Sequence, residues 1–264
     1  MRFLTNGLNG REPLLIDPAK AADAKALADK YAFTDVLAKL FGERPQPYVT
    51  EDGIGVVPLC GVISKGASPL DKMLGACDLN EVAATLSAME ADPAVKKVCL
   101  AVDSPGGTVT GVEELANKVR RMSKPTMAYT DGEMCSAAYW IASAADRVVC
   151  SGSASIGSIG VYMAIPDFSK AYADAGVQMV VIKSSGSPLK GAGIEGTSLS
   201  PEQIANLQQQ VDSIHADFMA SVKQTRTMVQ DSTMNGAVYA GKKAAQLCLA
   251  TGLADSLNDA LATF

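Results

Sequence analysis

One histidine and one tryptophan stand in 264 residues, and aromatic side chains make up only 5% of the chain. With a single imidazole, His215, a serine–histidine–carboxylate triad has one place to find its base. The six cysteines (Cys60, Cys77, Cys99, Cys135, Cys150 and Cys248) include no C-x-x-C pair. Without paired Cys and His ligands no metal site is expected, and Cys99 and Cys150, inside apolar runs, read as buried thiols of a reducing compartment. No Lys/Arg run exceeds two residues and the net charge is −5. That leaves no electrostatic footprint for nucleic acid. The opening MRFLTNGLNGREPLL lacks the continuous apolar core of a secretory signal. No stretch reaches the roughly 18 uninterrupted apolar residues that span a bilayer. The expectation is a soluble, cytoplasmic protein with no membrane span, no nucleic-acid partner, no metal and no cofactor.

What the chain does have is alanine and glycine. Hydrophobic residues make up 48% of it and charged residues 19%, with 23 glycines, a profile that suits a layered α/β protein. Residues 1–52 read as an appendage: helical periodicity over 18–41, then a proline-bearing polar linker, ERPQPYVTEDG. They suit a propeptide, a docking arm or an oligomerisation element. Beyond them strands alternate with helices. GIGVVPLCGVIS reads as a strand pair, 78–91 as an amphipathic helix with Asp78 or Asn80 near its start, and Lys97–Asp103 as a buried strand. Ser104-Pro105-Gly106-Gly107 leads towards a helix ending near Met122. Thr126–Thr130, Arg147–Cys150, 159–165 and 177–183 (VQMVVIK) read as strands. Helices are expected over 167–175, over 200–229 with Ile204, Leu207, Val211, Ile214, Phe218 and Val222 on one stripe, and from Gly241.

The centre of the sequence is DGEMCSAAYWIASAAD, residues 131–146, where a polar turn meets an uncharged, alanine-rich helix. Ser136 at its mouth has two readings: a helix cap satisfying orphan N–H groups, or a nucleophile backed by those groups as oxyanion donors. Neighbouring Cys135 is a second nucleophile candidate with no histidine nearby in sequence. Gly106-Gly107 is either a tight turn, because glycine tolerates positive φ, or an oxyanion site where bare backbone approaches a carbonyl. For the base, His215 sits at the edge of an apolar helical stripe, where a histidine commonly packs or caps. A neutral lysine is the other solution, provided a loop carries it out of water. Lys183 at the end of an apolar run and Lys190 in SSGSPLKGAG are equal candidates on this ground.

Four motifs occur in order: Asp103-Ser-Pro-Gly-Gly107, Met134-Cys-Ser-Ala-Ala-Tyr139, Ile156-Gly-Ser-Ile-Gly-Val161 and Leu189-Lys-Gly-Ala-Gly193. Together with Val238-Tyr-Ala-Gly241 and Thr251-Gly-Leu-Ala-Asp255, they resemble peptidase family S49, which includes signal peptide peptidase A proteins and bacteriophage prohead proteases. The resemblance runs from about Gly53 to Leu261. It implies a ClpP/crotonase-like layered α/β fold with a long C-terminal helix, a peptidase domain over 53–264, and a Ser–Lys dyad. On the motif positions it makes Ser136 the nucleophile, Lys190 the general base and Ser158 the hydroxyl that holds the lysine. It makes Gly107, with Gly106 as the alternative, and Ala137 the oxyanion donors. It further implies a polypeptide substrate, with a capsid or scaffold protein as one class, and a homo-oligomer whose neighbouring subunits complete the clefts. Two other functions fit the same fold. One is a crotonase-type acyl-CoA enzyme, which needs a pocket carboxylate that nothing assigns to Glu133. The other is a catalytically silent scaffold component.

Overall fold

The computed structural model describes residues 44–264 and the backbone of one earlier strand, β1 (Leu14–Ile16). The helix expected over 18–41 lies outside the described residues. In chain order come β2 (Tyr48–Val49), β3 (Ile54–Cys60), β4 (Ile63–Ser64), α1 (Pro69–Met73), β5 (Cys77–Asp78), α2 (Leu79–Ala91), β6 (Lys97–Asp103) and β7 (Gly106–Thr108). There follow α3 (Val112–Arg120), β8 (Thr126–Thr130), β9 (Glu133–Cys135), α4 (Ala137–Ser143), β10 (Arg147–Cys150) and β11 (Ser155–Gly157). The last are α5 (Ser169–Asp174), α6 (Pro201–Thr225), β12 (Val238–Ala240), α7 (Gly241–Gln246), β13 (Gly252–Leu253) and α8 (Leu257–Ala262).

The largest sheet has the order β13-β10-β8-β6-β3-β2, parallel throughout except for β2 at its edge. Its strands are apolar on both faces because both faces are covered. Successive side chains point to opposite sides, so Val98, Leu100, Val102, Ala128, Val148 and Cys150 enter the main core, with α2, α3 and α4. Cys99, Met127, Tyr129 and Val149 enter a smaller cluster closed by Ala260 of α8. Asp78 starts α2, its carboxylate accepting from the N–H groups of Asn80 and Gly66 at 3.0 and 2.9 Å.

Two small sheets rise from one end of this layer: β1-β7-β4-β5 and β12-β11-β9. Both β1 and β2 fall within residues 1–52, so two strands of the described sheets come from that part of the chain. Five further elements differ from the sequence-based expectation. Gly106–Thr108 is a strand, not a tight turn into a helix, and α3 begins only at Val112. The polar turn expected over 131–133 is confined to Asp131 and Gly132, and Glu133–Cys135 is a strand. Residues 177–183 form no strand: the run has high β-propensity, but no sheet edge takes it up and its side chains are exposed. Residues 159–165 form no named strand either, and α8 closes a part of the chain assigned no helix.

Candidate active site

Three chain segments run side by side where the small sheets meet α4. Ser104 bridges Met134 in parallel, with Ser104 N–H donating to Glu133 O at 2.8 Å and Cys135 N–H donating to Ser104 O at 3.1 Å. On the other side β9 pairs with β11 in parallel, Cys135 opposite Gly157. The next residues of both strands are therefore Ser136 and Ser158, leaving neighbouring strands at the same level. Ser136 N–H donates to Gly157 O at 2.7 Å, and Ser158 N–H to Ala237 O at 2.8 Å.

Both serines hold a backbone that L-residues avoid: φ is 53° at Ser136 and 52° at Ser158, and Cys248 is the only other non-glycine residue with positive φ among those described. Such a conformation costs about 1–3 kcal/mol and persists only where the surroundings impose it. At Ser136 those surroundings are the parallel Ser104–Met134 bridge and the β9–β11 ladder behind it, and α4 ahead. Every residue of α4, Ala137 to Ser143, is buried. Trp140 stacks on Phe218 of α6 at 4.6 Å between ring centroids, an arrangement worth about 1 kcal/mol beyond its buried area. Tyr139 donates its hydroxyl to Leu249 O at 2.8 Å, and burial pushes that phenol well above its usual pKa. The far end of α4 is closed by Arg226, itself buried, which donates to the carbonyls of Ala145 and Asp146. That cation suits the negative end of a helix, although burial lowers its pKa.

Ser136 occupies the N-cap position of α4 but makes no capping bond. Its Oγ is buried and has no hydrogen-bond partner among the described residues. The cap reading is thereby excluded. Next to it, both glycines of the SPGG motif are needed for different reasons. Gly106 has φ +103°, and a Cβ on Gly107 would stand 1.9 Å from Ile63 O because β4 and β7 pair so closely. Gly106, Gly107 and Ala137 are all buried beside the hydroxyl's strand.

Sequence reasoning missed the residues that hold this turn. Ser104 Oγ donates to Gly61 O at 2.6 Å and accepts from Gly106 N–H at 3.2 Å. Asp103 Oδ1 accepts from Glu133 N–H at 3.1 Å, and a Cβ on Gly132 would meet that oxygen at 2.4 Å. A Ser-Pro step before two glycines is a local signal for such a hydroxyl. Arg226 had none, its partners lying about 80 residues away in sequence.

None of the other candidate side chains is hydrogen-bonded to the hydroxyl. Lys190 is exposed, its N–H donating to Ser187 O at 3.1 Å, and its amine makes no hydrogen bond with Ser136 Oγ. Around it the chain folds on itself: Gly191 faces Ile194 and Val181, and Gly193 faces Ile165. Lys183 is exposed as well, with Nζ donating to Pro188 O at 2.6 Å. His215, on α6, sets Nε2 3.0 Å from Met234 O. The thiol of Cys135 is buried and donates to Ser155 O at 3.5 Å. Among the described residues no group of three or more His, Cys, Asp or Glu could hold a metal ion. No described helix is long and apolar enough to cross a membrane.

Comparison with known proteins places these features. Residues 72–156, which hold the β6–β11 layer and α4, match the Clp protease model, so the layered α/β fold is of the ClpP-like kind. The head-tail preconnector protein of Enterobacteria phage P21 is 30% identical over 83% of this chain and 44% of its own length. Capsid assembly protease C of Escherichia phage lambda is 30% identical over 93% of this chain and 61% of its own length. Protease 4 of Salmonella typhi is 33% identical over 64% of this chain and 27% of its own. The chain thus spans less than two thirds of each of these relatives. Residues 118–262, more than half of the chain, match the family model itself: the chain belongs to peptidase family S49.

Proposed function

We propose that this chain is a serine endopeptidase in which Ser136 is the nucleophile and Lys190 the general base. The observation that carries this reading is the buried Ser136 hydroxyl, held at φ 53° with no hydrogen-bond partner among the described residues. A structure that imposes strain on a serine and leaves its Oγ unbonded leaves that atom free for an incoming carbonyl and base. The peptidase domain in this reading is 53–264, with 1–52 as an extension.

The reaction follows from the groups present. Ser136 Oγ attacks the carbonyl carbon of a peptide bond while the uncharged Lys190 amine takes its proton. The Gly107 N–H, with Gly106 as the alternative, and the Ala137 N–H stabilise the developing oxyanion, each such donor being worth about 3 kcal/mol. The lysine ammonium then protonates the leaving amine, and water hydrolyses the acyl-enzyme. Ser158, one strand over at the level of Ser136, orients the lysine without adding charge.

The exposed position of Lys190 gives this mechanism a structural requirement. An amine acts as base only when water is removed from around it. A neighbouring subunit, or closure of 163–199, must therefore bring it to Ser136. The apolar side chains that this segment leaves in water, Ile182 at 93% and Val180 at 74% exposure, support assembly into a homo-oligomer. The names of the two phage relatives support capsid or scaffold polypeptides as substrates, cleaved in the cytoplasm of an infected or host cell.

Fluorophosphonate labelling tests the reading. The wild-type chain is expected to label at one residue, Ser136→Ala not at all, and Lys190→Ala more slowly by roughly 10³-fold or more. Equal labelling of wild type and Ser136→Ala would remove the nucleophile from its role.

A further inference from the structure

β7, the Gly106–Thr108 strand, has two edges, and both are taken. On one side Ile63 of β4 pairs with Gly107 in parallel. On the other, β1 runs antiparallel, with Leu14 opposite Thr108, Leu15 opposite Gly107 and Ile16 opposite Gly106. β1 is the outer strand of its sheet, so the oxyanion strand has no open edge while β1 is seated. An extended peptide presenting its carbonyl to Ser136 and to the Gly107 N–H needs that same edge, because main-chain ladder bonds are how a strand edge holds an extended chain.

We propose that Leu14–Ile16 occupies in cis the place of the substrate strand, so that the chain's own N-terminal segment is a competitive, pseudosubstrate occupant of the Ser136 site. This rests on the peptidase reading and deepens it: the ligand taken at β7 is an extended, apolar polypeptide segment in antiparallel register with Gly106–Thr108. The sequence of the occupant fits the role. Leu-Leu-Ile is apolar and β-compatible, and it is bracketed in sequence by Pro13 and by Asp17-Pro18. Proline cannot donate to a ladder, so only a short stretch of this segment is offered for pairing. An intramolecular strand also acts at high effective concentration, and any competing peptide sees only the fraction of molecules in which β7 is vacant.

The test measures binding of a fluorescein-labelled synthetic peptide with the chain's own sequence GREPLLIDPAK to full-length protein by anisotropy. Two backgrounds are compared, Ser136→Ala alone and Ser136→Ala with Leu15→Pro, which removes the amide opposite Gly107. Because Leu15→Pro alters the backbone, a milder double variant, Leu14→Ser with Ile16→Ser, is carried in parallel in the same background. Binding is expected to tighten by about tenfold or more in both released forms, and hydrogen exchange over 104–110 to rise in both when no peptide is present. Unchanged affinity in both, or no binding in any form, overturns the proposal. Unchanged exchange over 104–110 overturns it as well. The outcome is separate from that of the fluorophosphonate test: tighter binding with an unlabelled wild-type serine would keep the strand site and reject the nucleophile.

Discussion

The two halves of the proposed dyad sit in opposite physical settings. Around Ser136 the backbone is fixed on every side, by the Ser104–Met134 bridge, by β11 and by a helix with no exposed residue. Its glycines are there because nothing larger fits: a Cβ at Gly107, Gly132 or Gly157 would lie between 1.9 and 2.8 Å from a neighbouring oxygen. Around Lys190 the same residue type does something else. Gly186 and Gly176 have nothing within 4 Å of a Cβ, and Gly191 meets only side chains of its own segment. One region is built to completion within the chain. The other leaves Val180, Ile182, Leu189 and Ile194 exposed to water, the surface that the proposed assembly would cover.

That contrast separates chemistry from stability in the largest expected effects. Lys190→Ala is expected to lower peptidase turnover by roughly 10⁴-fold. Its thermal midpoint should stay at the wild-type value, because an exposed side chain leaves no cavity. A matched loss of stability would place Lys190 in a packing role instead. Gly107→Ala should do the reverse of a clean catalytic lesion. Its methyl must push β4 from β7, costing about 3 kcal/mol, and a Tm lower by roughly 6–12 °C would be read by calorimetry.

The next effect addresses the uncovered surface. Ile182→Asp places a charge on a residue already 93% exposed in the single chain, so the isolated fold should tolerate it within about 0.5 kcal/mol. In an assembly that buries this run, the same charge is desolvated and the assembly falls apart. Light scattering is expected to show a smaller particle, together with reduced turnover. An unchanged mass and rate would mean that Lys190 reaches Ser136 without a neighbour.

The same contrast explains what the sequence made legible. Lys97–Asp103, Thr126–Thr130 and Arg147–Cys150 matched their expected bounds because continuous apolar runs between polar breaks leave little choice in a doubly covered parallel sheet. Local capping chemistry narrowed the start of α2 to Asp78 or Asn80, and Asp78 is the cap, accepting from the Asn80 N–H. VQMVVIK gave an equally strong strand signal and formed none, since propensity needs an edge to pair with and nothing local in a sequence shows one. The hydrophobic stripe of α6 misled in the same way. Phe218 and Val222 are buried, whereas Ile204 is exposed and lines, with Val161, Met163 and Leu207, a groove of about 390 Å³. At the site, the positions of Ser136, Ser158 and the glycine pair were visible as motifs. The strand register that sets the two serines level was not, because it is a long-range pairing.

A smaller effect isolates the strain. Ser136→Gly removes the hydroxyl and relieves the positive φ, since glycine adopts φ 53° freely. Activity should vanish while stability rises by about 1 kcal/mol, seen as a higher urea midpoint with an unchanged slope. A lower midpoint would mean that the buried hydroxyl is tied into the fold after all and is not held ready for substrate.

The smallest expected effect is also the sharpest discriminator between bases. His215 sits on α6 between the completed region, where Phe218 stacks on Trp140, and the half of the helix that faces 161–165. Its Nε2 lies 3.0 Å from Met234 O. If the imidazole donates there, a Gln amide at the same place keeps a donor within reach, at a net cost of about 1 kcal/mol or less. His215→Gln should therefore leave turnover within about threefold of wild type, since a bond of that size alters neither strand that carries the serines. Loss of turnover in this variant, with Lys190→Ala still active, would move the base from the exposed segment into the completed core. The requirement for a neighbouring subunit would then disappear, because the chain would hold both halves of its chemistry by itself.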